Sequence, residues 1–201
     1  MPELSATGPL APSEAEPAMV VLLDAAASPI GVAPKLEAHH APGLPHLAFS
    51  VVLHDTQGRI LLQRRSRDKH HFRRRWANSC CSHPQPGESV SDAAARRVRE
   101  ELCVTLEHPV EPVGAFWYQA VDPDSGLVEV EYDVVLRGRL AADAPVLDPD
   151  RTEVDALRWV TIDQARSLTT SSHDRAVAPW LTHVLSVLDE GSAAISTAID
   201  L

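Results

Sequence analysis

Val90, Ala94, Val98 and Leu102 recur four residues apart, the spacing of one helix face, directly after a stretch, ANSCCSHPQPGES, whose prolines exclude regular helix. This junction of a chemically rich loop with an amphipathic helix constrains the fold more than any other feature of the chain. Ser89 stands three residues before Asp92, a variant of the capping box, so a helix is predicted over Val90–Leu102. Arg97 and Glu101 lie one turn apart beside the apolar stripe, which lets Glu101 turn into a site instead of bulk water.

Most other segments read as strands. The sequence HLAFSVVLHD, residues 46–55, is rich in strand formers and ends at Gln57-Gly58, and residues 59–65 follow as a second apolar run, which predicts a hairpin. A short strand is expected at 19–24, then a loop through Gly31 and Pro34, and further strands at 113–120, 127–138 and 156–160. A short helix should begin near Asp163 and a longer one after Ser172, kinked or divided by Pro179. Strands and helices mixed without a strict βαβ repeat imply an α/β fold of the α+β kind, with a mixed sheet sandwiched between helices.

With 201 residues, 44% of them hydrophobic, the chain has material for one good core and not for two enzyme domains. Residues 19–190 are expected as that single domain, residues 1–18, rich in Pro, Ala, Ser and Glu, as a disordered leader, and residues 191–201 as a tail. The net charge of -10 argues against a nucleic-acid binder, which needs a basic face for phosphates. The longest apolar stretches, around 20–23 and 48–53, fall far short of the roughly 20 residues of a membrane span. The start of the chain lacks the basic and apolar segments of a secretory signal, and three cysteines make a poor disulfide framework. Both point to the cytoplasm.

Three pairs carry candidate chemistry: His39 with His46, Cys81 with His83, and Glu129 with Glu131. In a strand Glu129 and Glu131 share a face, alternating with Val128 and Val130, so they form either a solvated edge or one side of a site. With three histidines they make a ligand set suited to Zn²⁺ or Mn²⁺ and poorly suited to calcium. Cys81 is either a small buried residue or a thiol activated by Lys69, His83 and the neighbouring arginines, while Cys80 and Cys103 are assigned to packing. The basic residues from Arg64 to Arg75 read as a solvated loop or as a phosphate clamp.

The loop NSCCSHPQPGES, the upstream AHH and HLAFS, and the downstream SGLVEVEY resemble the type 1 isopentenyl diphosphate isomerases, over roughly residues 20–185 and in the same order. Residues 82–104 also resemble the Nudix box, with Glu88, Arg96, Glu100 and Glu101 matching it. Ser82 and Cys103 replace its glycines and Arg97 replaces a glutamate, which favours isomerisation over diphosphate hydrolysis. The resemblance implies a Nudix-type sheet and a first metal held by His39, His46, His83, Glu129 and Glu131. It implies a second metal, Mg²⁺, between the substrate diphosphate and Glu101. Lys35, Arg65 and Lys69 would grip the diphosphate, with Trp180 and Tyr118 beside the hydrocarbon end. Cys81 and Glu131 would divide two proton transfers on opposite faces of the substrate, with Tyr118 delivering or orienting a proton near Glu131. The partner is then a small diphosphate, and the protein a monomer or weak dimer. The rival readings are a Nudix hydrolase, or a binding module whose structural zinc is held by Cys80, Cys81, His39 and His83.

Overall fold

The computed structural model describes residues 18–106, 108–140, 147–171 and 176–190. The segments expected as leader and tail lie outside the described residues, apart from Ala18. Strands β1 (Met19–Leu23), β2 (Pro29–Pro34), β3 (His46–His54), β4 (Ile60–Arg65), β5 (Trp76–Ala77), β6 (Cys80–Ser82), β7 (Glu111–Val121), β8 (Val128–Arg139) and β9 (Val154–Val160) join in one mixed sheet. Helices α1 (Lys35–Ala38), α2 (Val90–Leu102), α3 (Ile162–Ser171) and α4 (Leu181–Glu190) complete the described fold. It is the mixed sheet between helices that the sequence predicts.

Strand β3 organises the sheet. It pairs in parallel with β8 over nine residues, and antiparallel with β6 through Phe49, Ser50 and Val51. Because side chains alternate along a strand, Phe49, Val51 and Leu53 join Val134 and Leu136 on one face, where Ala94, Val98 and Leu102 of α2 cover them. Val52 and Val135 point to the other face, which Ala165 of α3 and Leu181, Val184 and Leu185 of α4 close. The polar residues of β3 and β8 belong to this second face.

Helix α2 begins where the sequence places it. The Ser89 hydroxyl accepts from the Asp92 amide at 3.1 Å, and its own proton goes to the Asp92 carboxylate at 2.7 Å. The helix ends at Cys103, whose φ of 53° lies in the left-handed region. Cys103 is exposed, so it does not serve packing as expected. Cys80 does, fully buried in the α2-side core.

Three expectations are corrected. The hairpin over residues 46–65 reduces to a turn with one register pair, His54 with Ile60, because β3 takes β6 and β8 as neighbours while β4 takes β5 and β9. Residues 29–34 are an edge strand instead of a loop, with prolines at both ends where their missing amides cost little. Residues 176–180 are not helical and α4 starts after Pro179, so the proline precedes the helix instead of dividing it; residues 172–175, the expected start of that helix, lie outside the described residues.

Candidate active site

The register of the sheet assembles the candidate site. His46 lies opposite Glu131 across the β3–β8 ladder, and Tyr118 lies opposite Glu131 on the other side, across β7–β8. Ser50 faces Cys81 across β3–β6. Cys81 and Glu131 therefore stand on the same sheet face, one on each side of β3. The segment expected as a loop is thus partly strand, and alternation along β6 sends Cys80 into one core and Cys81 to the other side.

His39 arrives from the C-terminal end of α1. The turn between it and β3 packs on β8 through Gly43, at φ 85°, where a Cβ would lie 2.7 Å from a Val130 methyl. Only glycine permits that approach. The His39 carbonyl also accepts from the Val128 amide at 2.8 Å. These contacts bring ligand atoms of His39, His46, His83, Glu129 and Glu131 within 4.8 Å of one another. Both carboxylates are buried, so the solvated-edge reading of Glu129 and Glu131 does not hold.

The donor chemistry fits a metal ion. His39 Nδ1 lies 2.6 Å from the Lys35 carbonyl, and His46 Nδ1 lies 2.7 Å from the Leu44 carbonyl. Each ring is thereby fixed to donate from Nδ1 and to present Nε2 to the group. His39 Nε2 and Glu129 Oε2 face one another at 2.8 Å, yet both are buried without a hydrogen-bond partner. His83 Nε2 lies 3.2 Å from His46 Nε2 and 2.8 Å from Glu131 Oε1. Acceptors crowded this closely need a shared cation or extra protons. Burial would lower the His39 pKa, but contact with Glu129 outweighs it and raises it. Burial likewise pushes Glu129 up, but His71 and His39 hold it well below the usual carboxylate range. Glu131 is raised, by burial and then by the neighbouring Glu129 charge.

The same face continues into a cleft lined by Lys35, Arg65, Lys69, Cys81, Tyr118, Glu131 and Trp180. The Cys81 thiol donates to Asn78 Oδ1 at 2.9 Å, and the Trp180 indole N–H points at both Asn78 Oδ1 (3.1 Å) and Cys81 Sγ (3.2 Å). The expected electropositive activation of Cys81 is not found. Burial, followed by the nearby Asp133 charge, outweighs Arg65 and pushes the thiol up to about 12. It is a proton-bearing group and not a ready thiolate. The Tyr118 hydroxyl bonds Glu131 Oε2 at 2.5 Å.

The basic segment splits in two. Arg67, Arg73 and Arg74 are exposed, whereas Arg65 is buried, with its guanidinium 5.3 Å from the Trp180 ring centre. Lys69 pairs with Glu101 at 3.4 Å and also contacts Glu153, and burial and Lys69 together lower Lys35. Glu101 is fully buried, and its carboxylate also accepts from Arg97 at 2.6 Å. Lys69 and Arg97 line the cleft in front of it. Both Glu101 oxygens are thus engaged, Oε1 by Lys69 and Arg97 and Oε2 by the Gln63 amide at 3.4 Å.

The sequence reading missed His71, Asn78, Ser50 and Asp133. His71 and Asn78 sat in segments read for their arginines and cysteines, and Asp133 continues the Glu129, Glu131 alternation that could have revealed it.

A NUDIX domain model matches residues 44–181. The isopentenyl-diphosphate Delta-isomerase of Nocardia farcinica is 46% identical over 85% of this chain and 94% of its own length. The protein of the same name from Streptomyces griseus is 44% identical over 90% of this chain and 87% of its own. The chain belongs to the isopentenyl-diphosphate Delta-isomerase family, on a NUDIX domain. A solved structure from Deinococcus radiodurans matches with a TM-score of 0.65 at 19% identity, over 84% of this chain and 97% of that one, which shows the fold. The metal-capable group of this isopentenyl-diphosphate Delta-isomerase family member contains no cysteine. Cys80 lies in the core and Cys81 is outside that group, which removes the structural-zinc reading. Among the described residues no helix is long and apolar enough to cross a membrane.

Proposed function

We propose that this protein interconverts isopentenyl diphosphate and dimethylallyl diphosphate, with Cys81 and Glu131 carrying the two proton transfers. The observation that carries the reading is the placement of these two groups on one sheet face, on either side of β3, in a shared cleft. The reaction adds a proton to the terminal alkene carbon, giving a tertiary cation, and removes one from the carbon nearer the diphosphate. No electrons leave the substrate and no water is consumed. An acid, a base and a dry pocket therefore suffice.

Asn78 fixes the Cys81 thiol and the Trp180 indole together, so the acid–base group and the aromatic wall keep one geometry. Trp180 then offers its π system to the cation, an interaction of about 2 kcal/mol when desolvated. Tyr118 holds Glu131 and relays or orients the proton there. Lys35, Arg65 and Lys69 grip the diphosphate, with Arg97 beside them. A Mn²⁺ or Zn²⁺ ion at His39, His46, His83, Glu129 and Glu131 would lower the proton affinity of Glu131, and Mg²⁺ shared with Glu101 would neutralise the diphosphate. A cytoplasmic protein acting as a monomer or weak dimer on a small diphosphate accords with this chemistry.

Proton NMR of the protein with isopentenyl diphosphate and Mg²⁺ in deuterated water tests the reading. Dimethylallyl diphosphate carrying deuterium in a methyl group is expected, with turnover reduced by orders of magnitude in Cys81→Ala and Glu131→Gln. Phosphate release without isomer would instead identify a hydrolase.

A further inference from the structure

His71 is not among the five residues whose ligand atoms cluster, yet it is buried beside them. Its Nε2 contacts Glu129 Oε1, while the other oxygen of that carboxylate faces His39 Nε2. Its Nδ1 is buried without a partner. The ring therefore donates from Nε2 to Glu129, and one carboxylate is shared between the metal-capable group and His71.

The backbone of His71 faces the opposite way. Its carbonyl accepts from Arg65 Nη2 at 3.1 Å, and the next carbonyl, of Phe72, accepts from Arg65 Nε at 3.2 Å. Lys69, two residues earlier in the same turn, pairs with Glu101 and Glu153. Phe72 and Arg74 have φ of 49° and 59°, which non-glycine residues rarely adopt. Local backbone preference does not hold this turn in place. Its contacts do, and those of the His71 ring, with Glu129 and against the His39 ring at 5.0 Å, reach the metal-capable group.

We propose that His71 is a positioning residue that couples the histidine–glutamate metal group to the cations that bind the diphosphate. An ion that fixes Glu129 fixes His71, and His71 then fixes the carbonyls that aim Arg65 and the turn that carries Lys69. The coupling is reciprocal, because a free-energy link between two sites acts equally on both. The inference rests on the assignment of the two subsites made above, but not on turnover.

The test measures binding of Mn²⁺ at buffered free-ion concentration, with and without inorganic pyrophosphate, in the parent, His71→Ala and His71→Gln. In the parent, pyrophosphate should tighten Mn²⁺ binding about fivefold or more, and Mn²⁺ should tighten pyrophosphate binding by the same factor. In His71→Ala, Mn²⁺ affinity should fall roughly tenfold and the mutual tightening should vanish. His71→Gln keeps a donor and should restore part of both, which a purely space-filling role would not produce. Circular dichroism and thermal melting identify a variant that has failed to fold, in which case the glutamine variant decides. Absence of mutual tightening in the parent, or its full retention in the folded variants, overturns the proposal. Either result leaves isomerisation standing, and an inert isomerase assay leaves these binding constants standing.

Discussion

The Tyr118 hydroxyl donates to Glu131 Oε2 across 2.5 Å, from the position directly opposite it in the β7–β8 ladder. Burial, followed by the Glu131 charge, holds the phenol well above its ordinary pKa, so it keeps its proton at neutral pH. Tyr118→Phe removes this donor and little volume. Turnover should fall about a hundredfold, the usual contribution of a positioned proton-transfer group, while Mn²⁺ affinity at the neighbouring group changes only severalfold. Steady-state kinetics beside metal titrations check this. An unchanged kcat would remove Tyr118 from the proton path.

Asn78 carries a second prediction. It is buried and uses both ends of its amide: Oδ1 accepts from Cys81 and Trp180, and Nδ2 donates to the carbonyls of Val51 and Cys80 at 3.1 and 2.9 Å. Asn78→Ala strands these groups, at about 1–3 kcal/mol for each buried group left unpaired. The midpoint of denaturant unfolding should drop, and kcat should fall at saturating substrate because the thiol loses its fixed orientation. Preserved kcat in a destabilised variant would confine Asn78 to a structural role.

The sequence shows what alternation and helical period can encode. The helix Val90–Leu102 and the shared face of Glu129 and Glu131 follow from spacing alone, because each needs only neighbours along the chain. The meeting of His39, His46 and His83 with those glutamates does not, since it depends on β3 pairing in parallel with β8, over 80 residues away. The hairpin expectation failed for the same reason: which strands become neighbours is set by tertiary packing. Family resemblance brought Tyr118 and Trp180 into view where spacing is silent. His71 and Asn78 escaped both, one inside a run of arginines and the other beside two cysteines.

Lys69 and Arg65 should act mainly on substrate capture. Charge-assisted hydrogen bonds contribute about 1.5–3 kcal/mol each, so Lys69→Met should raise KM roughly 10- to 100-fold with a smaller change in kcat. Arg65→Met should do likewise, with some added loss of kcat because the guanidinium also lies over Trp180. Inorganic pyrophosphate used as a competitive inhibitor offers an independent readout, since its inhibition constant should rise in parallel. A parental KM in both variants would place the diphosphate elsewhere.

Glu153 links the charged rim to pH. Burial alone would raise its carboxyl, but Lys69 and Arg97 outweigh burial and bring it from 4.5 down to about 2. A carboxyl depressed in the folded state stabilises the fold fully above its ordinary pKa, and this stabilisation fades as pH falls from about 4.5 towards about 2. Its side chain is 25% exposed, so solvent screening brings the contribution to on the order of 1–2 kcal/mol. Glu153→Gln should therefore be less stable than the parent at pH 7, with a gap that narrows at pH 3 and closes near pH 2. Urea midpoints for the pair across this range supply the measurement. A gap independent of pH would mean that Glu153 supports the rim through packing and neutral hydrogen bonds, and that Lys69 and Arg97 are held in place by Glu101 instead.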